Sequence, residues 1–392
     1  MHSIVDKTAI AGIGATEFSK ASGRSELQLA LEACKAALDD AGISPHEVDG
    51  MVTFSMDTNP TIEVARGLGC KELSYFSLVD YGGGAAAGTV LHAAMAVATG
   101  AAETVLCYRA FNERSGKRFG RAMSVEGLAP DARSAHFGWY VPHGLVTPAS
   151  WVAMLARRYM HVSGATSEDF GRVAVADRRH AATNPNAWFY EAPITLKDHQ
   201  SSRWIAKPLH LLDCCQESDG GQAFVITSLE RARDLVSKPA VIRSAAQGSG
   251  YDQHSMTSYY RADKDRFLPE MGVVGRQLWS DTGLGPKDIQ TAIFYDHFTP
   301  FVLCQLEEFG FCERGDAKHF VRDGEIELGG SLPINTHGGQ LGEAYIHGMN
   351  GIAEGVRQVR GTSVNQVDGV ENVLVTAGTG VPTSALILGT DE

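Results

Sequence analysis

No two cysteines in this 392-residue chain stand in a CxxC spacing, and the seven present (34, 70, 107, 214, 215, 304 and 312) are odd in number. That pattern offers no Cys-based zinc site and no disulfide framework. It suits a reducing cytoplasm, where buried thiols serve as small core residues. No apolar run approaches 18 residues, so no membrane span is expected. The opening MHSIVDKTAIAGIG lacks the basic head and long apolar middle of a signal peptide. Positive charge is in deficit: 34 Lys and Arg against 46 Asp and Glu give −12, which argues against nucleic acid as a partner. The glycine runs GIGATEF and GGGAAAG do not fit the GxGxxG dinucleotide fingerprint. Low-complexity tracts and linkers are absent.

What remains is an ordinary globular composition, 44% hydrophobic and 20% charged, with glycine unusually abundant at 43 residues. The length favours two comparable domains or one large fused pair. An apolar strand is expected at 8–13. A helix opens at Ser25-Glu26 and stops at Gly42, and a strand follows at about 48–54. A short helix to Gly69, a strand at 73–79, an Ala-rich helix after YGGGAAAG and a strand in ETVLCYRA continue the alternation, which means a layered α/β fold. From Phe111 to about Pro148 the pattern breaks, as in a cap or an interface segment. Helices resume at 149–162 and behind the capping-box-like Thr166-Ser167-Glu168-Asp169. LHLLDCCQESDGGQAFVITS (209–228) reads as a loop and then a buried strand.

After about 230 the scheme starts again. LDDAGISPHEVDGMVTFS (38–55) matches WSDTGLGPKDIQTAIFYD (279–296) at a constant offset of 241, with Gly, Pro, acid and apolar strand in the same order. The loop-helix at 81–100 and the strand at 103–108 find counterparts in 335–361 and 371–376. These matches indicate a duplicated βαβ unit whose copies face each other. Within 335–361, NTHGGQLGEAYIHGMNGIAEGVRQVRG, a polar glycine-rich loop carrying His337, Glu343, Tyr345 and His347 leads into a helix. Close backbone and titratable side chains at a helix entrance suit a site for developing negative charge.

Two halves, each with a Gly loop before a central helix, resemble the thiolase fold over nearly the whole chain. The similarity is strongest to the sterol-carrier-protein thiolase branch through MLARRYMHVSGATSEDFGRVAVADRRHAATNPNA, LHLLDCCQESDGGQAF, YDHFTPFVLCQLEEFGFC and 335–361. The resemblance implies an α/β thiolase fold, with duplicated βαβ halves in a five-layered αβαβα architecture. It divides the chain into an N-terminal half at 1–230, with an insertion at about 111–208, and a C-terminal half at 231–392. The reactive positions differ, however. Gly82-Gly83-Gly84-Ala85 stands where a thiolase has its nucleophilic Cys. Tyr295 in YDHF replaces the NEAF or HDCF residue, Tyr345 the GHP histidine, and Thr376 the second Cys. Claisen condensation by that route lacks acyl carrier and base.

Loss of the thiols with gain of two tyrosines resembles the lipid-transfer-protein-type aldolases of bacterial steroid side-chain degradation. The resemblance implies retro-aldol cleavage of a β-hydroxyacyl-CoA side chain to a steroid ketone and a short acyl-CoA such as propionyl-CoA. Such a reaction needs a base, stabilisation of the enolate and an acid, but no covalent intermediate. Tyr295 and Tyr345 are assigned as base and acid in either order, with His297 and His347 tuning them. Gly83, Gly84, Asp296, His337 and Gly378 are assigned to substrate or oxyanion binding, with Asp296 also able simply to fix its neighbours. No cofactor or metal is implied, coenzyme A being part of the substrate. The implied partners are the steroidal acyl-CoA, a second copy of the chain, and the OB-fold/zinc-ribbon domain of a hydratase subunit. The implied location is cytoplasmic. A non-catalytic acyl-CoA or sterol-binding subunit is the alternative. Arg114, Lys117, Arg118 and Arg121 form a basic loop that could meet CoA phosphates, and Tyr259-Tyr260 could line a sterol pocket.

Overall fold

The computed structural model describes residues 4–122, 135–236, 238–254 and 267–391, with residue 136 described by its backbone alone. Tyr259 and Tyr260 lie outside the described residues. The first half begins with β1 (Thr8–Ala15), α1 (Glu26–Ala41), β2 (Gly50–Phe54), α2 (Thr61–Leu68) and β3 (Tyr75–Val79). It continues through α3 (Ala86–Ala98) and β4 (Thr104–Asn112). An inserted segment then holds α4 (Pro148–Ser163), α5 (Ser167–Thr183), α6 (Leu196–Ser201), β5 (Trp204–Ala206) and β6 (Leu209–His210), before β7 (Asp219–Ser228). The second half comprises α7 (Leu229–Leu235), β8 (Ala240–Gly248), α8 (Pro269–Thr282), β9 (Thr291–Ile293) and α9 (Thr299–Glu308). It closes with α10 (Ala317–Arg322), α11 (Gly339–Gly342), α12 (Met349–Arg360), β10 (Asn372–Thr376) and β11 (Thr383–Gly389).

The expected 241-residue repeat is present in three dimensions. Ala41 ends α1 and Thr282 ends α8. Gly42 and Gly283 follow in the left-handed conformation, at φ 67° and 73°, which glycine adopts without a Cβ penalty. Each exit then makes a 3-10 turn opened by proline, Pro45–Glu47 and Pro286–Asp288, and enters a parallel strand, β2 or β9. Proline fits the first position of such a turn because its missing N–H would have no partner there.

The main sheet runs β3-β2-β4-β7-β1-β8-β11-β10-β9. The two halves meet at the antiparallel β1–β8 pair, through Ala9↔Val241 and Ile10↔Ala240. Alternation along each strand assigns its faces. Val105 and Cys107 of β4, Val373 and Val375 of β10, and Leu386 and Leu388 of β11 join a central cluster with α3 and α12. Leu106 and Tyr108 face α1 on one outer side, while Leu374 and Ile387 face α8 and α9 on the other. The two halves of this one sheet thus flank the paired central helices, each backed by an outer layer of helices. The inserted α4 and α5 pack with α8 and α9, so the insertion closes over the C-terminal half.

Candidate active site

The loops at the ends of the two central helices border a cavity of about 980 Å³. Its polar wall includes Gly82, Gly83, Gly84, Glu113, Cys215, Tyr295, His297, Tyr345, His347 and Gly378. Apolar surface comes from Met56, Phe119, Phe137, Phe189, Ile205 and Phe298, and cationic side chains from Lys20, Arg114, Arg118 and Arg203. A volume at the top of the usual range for ligand sites, mostly apolar with a few converging polar groups, suits a bulky hydrophobic substrate carrying one reactive polar centre.

Tyr295 and Tyr345 converge: their hydroxyls lie 2.9 Å apart in a direct hydrogen bond. Tyr295 is held two residues beyond β9. Its N–H donates to Thr376 Oγ1 at 2.9 Å, and that hydroxyl donates to Gln305 Oε1 at 2.6 Å. Gln305 Nε2 returns a bond to the Tyr295 carbonyl at 3.0 Å. Thr376, where a thiolase carries its second cysteine, thus anchors the backbone of a tyrosine. The ring rests on two glycines: a Cβ on Gly83 would lie 2.1 Å from Tyr295 Oη, and one on Gly348 would lie 2.9 Å from its ring. Tyr345 sits between Ser218, whose Oγ accepts its N–H at 3.1 Å, and His347, which takes the left-handed φ of 50°.

Burial pushes both phenols well above their ordinary value. The Tyr345 bond and the Arg109 charge act in the opposite direction on Tyr295. His297 is also driven down by burial, to about 3, and is neutral. Its ring stacks on Phe301 and meets Tyr295 edge-on, and its Nδ1 has no hydrogen-bond partner. His347 is lowered by burial and then by Arg109, whose Nη2 donates to His347 Nδ1 at 2.6 Å. That bond makes Nδ1 an acceptor and leaves the imidazole proton on Nε2. Both histidines border the cavity beside the tyrosines.

The remaining expected residues divide. Gly83 and Gly84 line the cavity at the 3-10 turn that enters α3. Gly378 lines it too, but its N–H donates to Gly83 O at 2.8 Å, so that amide is not open to a substrate oxygen. The Gly84 N–H is likewise taken, by Tyr81 O. The first positions of the turn, Gly82 and Gly83, are where a helix start leaves amides without intrahelical partners. Asp296 and His337, expected to bind substrate, are not among the lining residues. Asp296 is fully buried and accepts from the N–H groups of Gln340 and Leu341. His337 points at Glu343, 3.8 Å away, inside a buried network with Asn184, Asn350 and Arg357. Both support the loop from behind. Of the basic loop, Arg114 and Arg118 both stand on the cavity wall, Arg118 paired there with Glu217.

Arg109 and Glu113 went unread in the sequence. Both are buried to 1% exposure at the end of β4, and Glu113 lines the cavity. The signal was the period-2 spacing of Arg109, Phe111 and Glu113, which continues the inward face of Val105 and Cys107. The guanidinium lies over the Phe111 ring, 4.8 Å from its centroid.

Among the described residues no cluster of His, Cys, Asp or Glu has metal-binding geometry, and no helix is long and apolar enough to cross a membrane. Residues 253–390 match the family model for the thiolase C-terminal domain-like group. The chain is 70% identical over 384 residues to the steroid side-chain-cleaving aldolase of Thermomonospora curvata, covering 98% of both chains. It is 67% identical over 383 residues to the 17-hydroxy-3-oxo-4-pregnene-20-carboxyl-CoA lyase of Mycobacterium tuberculosis, covering 98% of this chain and 99% of that one. A solved Ltp2-ChsH2(DUF35) aldolase superposes with a TM-score of 0.95 at 68% identity, covering 99% of each chain.

Proposed function

The chain belongs to the thiolase-like steroid side-chain-cleaving aldolases, and from that premise we propose that its tyrosine pair cleaves a 17-hydroxy steroid bearing a 20-carboxyl-CoA side chain. It is a carbon–carbon lyase. In such a substrate the C17 hydroxyl is β to the thioester. Breaking the C17–C20 bond therefore releases a C17 ketone, and C20, with its methyl and carboxyl-CoA, departs as propionyl-CoA. One tyrosine oxygen takes the hydroxyl proton as the C17–C20 electron pair moves into the thioester enolate. The other phenol delivers a proton to C20. The hydrogen bond between the two hydroxyls lets the proton gained at one site be passed to the other, so the pair is reset after each turnover. Amides at the Gly82–Gly83 turn receive the developing enolate oxygen, aided by the positive end of α3. So written, the chemistry uses no dissociable cofactor, and coenzyme A enters as part of the substrate.

The observation that carries this reading is the 2.9 Å contact between Tyr295 Oη and Tyr345 Oη at the wall of a cavity large enough for a steroid. Tyr295→Phe and Tyr345→Phe should each lower kcat about 10²-fold or more, with KM and melting temperature near wild type. Ketone and propionyl-CoA are followed by chromatography, and full turnover by both variants refutes the assignment.

Two partner surfaces belong to the same proposal. The name of the similar solved complex pairs that protein with a ChsH2(DUF35) chain, and the chain accordingly works with a DUF35 partner, taken to be the OB-fold/zinc-ribbon domain that the family resemblance implies. The chain also pairs with itself through β3, an edge strand whose Phe76 and Leu78 are 71% and 64% exposed. An uncovered apolar edge of this kind invites pairing with another strand. A cytoplasmic location accords with a CoA substrate and with seven unpaired cysteines.

A further inference from the structure

A phenol whose ionisation is raised well above its ordinary value cannot act as a base at neutral pH unless it surrenders its own proton as it accepts another. The tyrosine pair can do this within itself only if C20 is protonated as the C17–C20 bond breaks, so a stepwise cleavage needs a further acceptor at the cavity. Several titratable groups of the site are already engaged or weakly basic. Lys20 donates to Gln216 Oε1 and to the Glu217 carbonyl. Glu217 is paired with Arg118 and accepts the Gly120 N–H. The Asp219 carboxylate is spent on the N–H groups of Ser22, Arg114 and Ser115 and on the Ser115 hydroxyl. Cys215 is a half-buried thiol raised by desolvation, and His297 and His347 are neutral and weakly basic. Glu113 differs from all of these. It lines the cavity, is 1% exposed, and its Oε2 has no hydrogen-bond partner. Its charge acts on both phenols. A buried carboxyl oxygen left without a partner at a reactive wall calls for a role.

Building on the tyrosine-pair reading, we infer that Glu113 is a third proton-transfer group of the cleavage, the acceptor that takes the proton displaced from the tyrosine pair and later returns it. The substrate hydroxyl proton moves to a tyrosine oxygen while the proton displaced from the pair goes to the Glu113 carboxylate. The carbon–carbon bond breaks, the ketone forms, and the bond pair enters the thioester enolate. The proton then goes back from the Glu113 carboxyl through the pair to the enolate carbon, regenerating carboxylate and phenols with no other reactant. Burial holds Glu113 up at about 8 against the opposing pull of Arg109, with Glu217 and Asp219 raising it and Lys20 lowering it. The working carboxylate is thus a minority at neutral pH and grows as pH rises. Arg109 is the positioning residue, a buried cation that favours negative charge on both Glu113 and Tyr295.

The test uses the full chain with its partner domain and the 17-hydroxy-20-carboxyl-CoA steroid, profiling kcat and KM from pH 6 to 9. Wild type should gain activity as pH rises towards about 8. Glu113→Gln should lose about 10²-fold in kcat with KM near wild type, and should lose that rising limb. Glu113→Asp should keep the limb, displaced along the pH axis, and serves in place of the glutamine variant if that one does not fold. A merely structural counter-ion to Arg109 would instead give a lower melting temperature with a wild-type pH profile, and that result overturns the inference. So does an undisplaced limb in Glu113→Asp. Tyr295→Phe and Tyr345→Phe are measured alongside. Inactive tyrosine variants beside a wild-type profile for Glu113→Gln would sink the role of Glu113 alone, whereas active tyrosine variants would sink both.

Discussion

Gly83→Ala is the sharpest perturbation the site offers, because a single methyl group tests whether the place of the Tyr295 hydroxyl matters. An added Cβ would sit 2.1 Å from Oη and 2.9 Å from Cζ, against a floor near 3.0 Å for real contacts. The hydroxyl must therefore retreat by about 1 Å, and misplacing a reacting group by about that distance costs on the order of 10²-fold in rate. The ring has little room to retreat into. The His297 ring meets it edge-on at 4.8 Å between centroids, Gly348 lies against the same Cε2 edge as Gly83, and the backbone is tied through Thr376 and Gln305. Overpacking of this kind costs about 1–3 kcal/mol of stability. The phenol is only part of the obstruction, so Gly83→Ala placed on Tyr295→Phe should regain some of that stability, its closest remaining contact being the one at 2.9 Å. Activity should not return. The assays are steady-state cleavage of the 17-hydroxy-20-carboxyl-CoA steroid and denaturant melts of the two single variants and the double. Wild-type kcat in Gly83→Ala would refute the reasoning, because either the hydroxyl would not be where the geometry places it or its place would not matter.

Two further outcomes follow from buried charge and from the sheet edge. Burial, then mutual repulsion, lifts the Asp177 carboxyl well above the usual range, so it donates to Asp296 as a protonated acid. A carboxyl raised in the folded state binds a proton that the unfolded chain releases. Its contribution is intact below about pH 4 and declines by about 1.4 kcal/mol per pH unit until the folded group itself titrates. Asp177→Asn supplies a donor without that proton, so its stability should fall less between pH 5 and 8, and a steeper fall in urea melts would contradict the assignment. Phe76→Lys with Leu78→Lys puts two charges on the exposed face of β3 and should turn a dimer into a monomer, judged by light scattering. An unchanged dimer would locate the self-contact elsewhere.

The fold was legible where local chemistry repeats. Gly42 and Gly283, Pro45 and Pro286, and the strands behind them carry the same backbone instructions, and local instructions survive in any context. The tyrosine pair was legible by a different route, since two reactive positions of one known scaffold had changed to the same side chain. Direction was what the sequence could not convey. Asp296 and His297 are neighbours in the chain, yet His297 borders the cavity while Asp296 faces away into the amides of Gln340 and Leu341. His337 and His347 share one glycine-rich loop, yet Glu343 holds the first outside the cavity while the left-handed turn at residue 347 aims the second inward. Gly378 looked like an oxyanion donor because glycine permits close approach, but what approaches it is the Gly83 carbonyl. Arg109 and Glu113 were lost for a related reason. Arg109 lay within the strand as read and was passed over, and a strand read as ending at Ala110 hides the continuation of its inward face that delivers the Glu113 carboxyl to the site. Alternation extended past the apolar stretch would have exposed both, because a charged side chain on the inner face of a buried strand needs either a partner or a task.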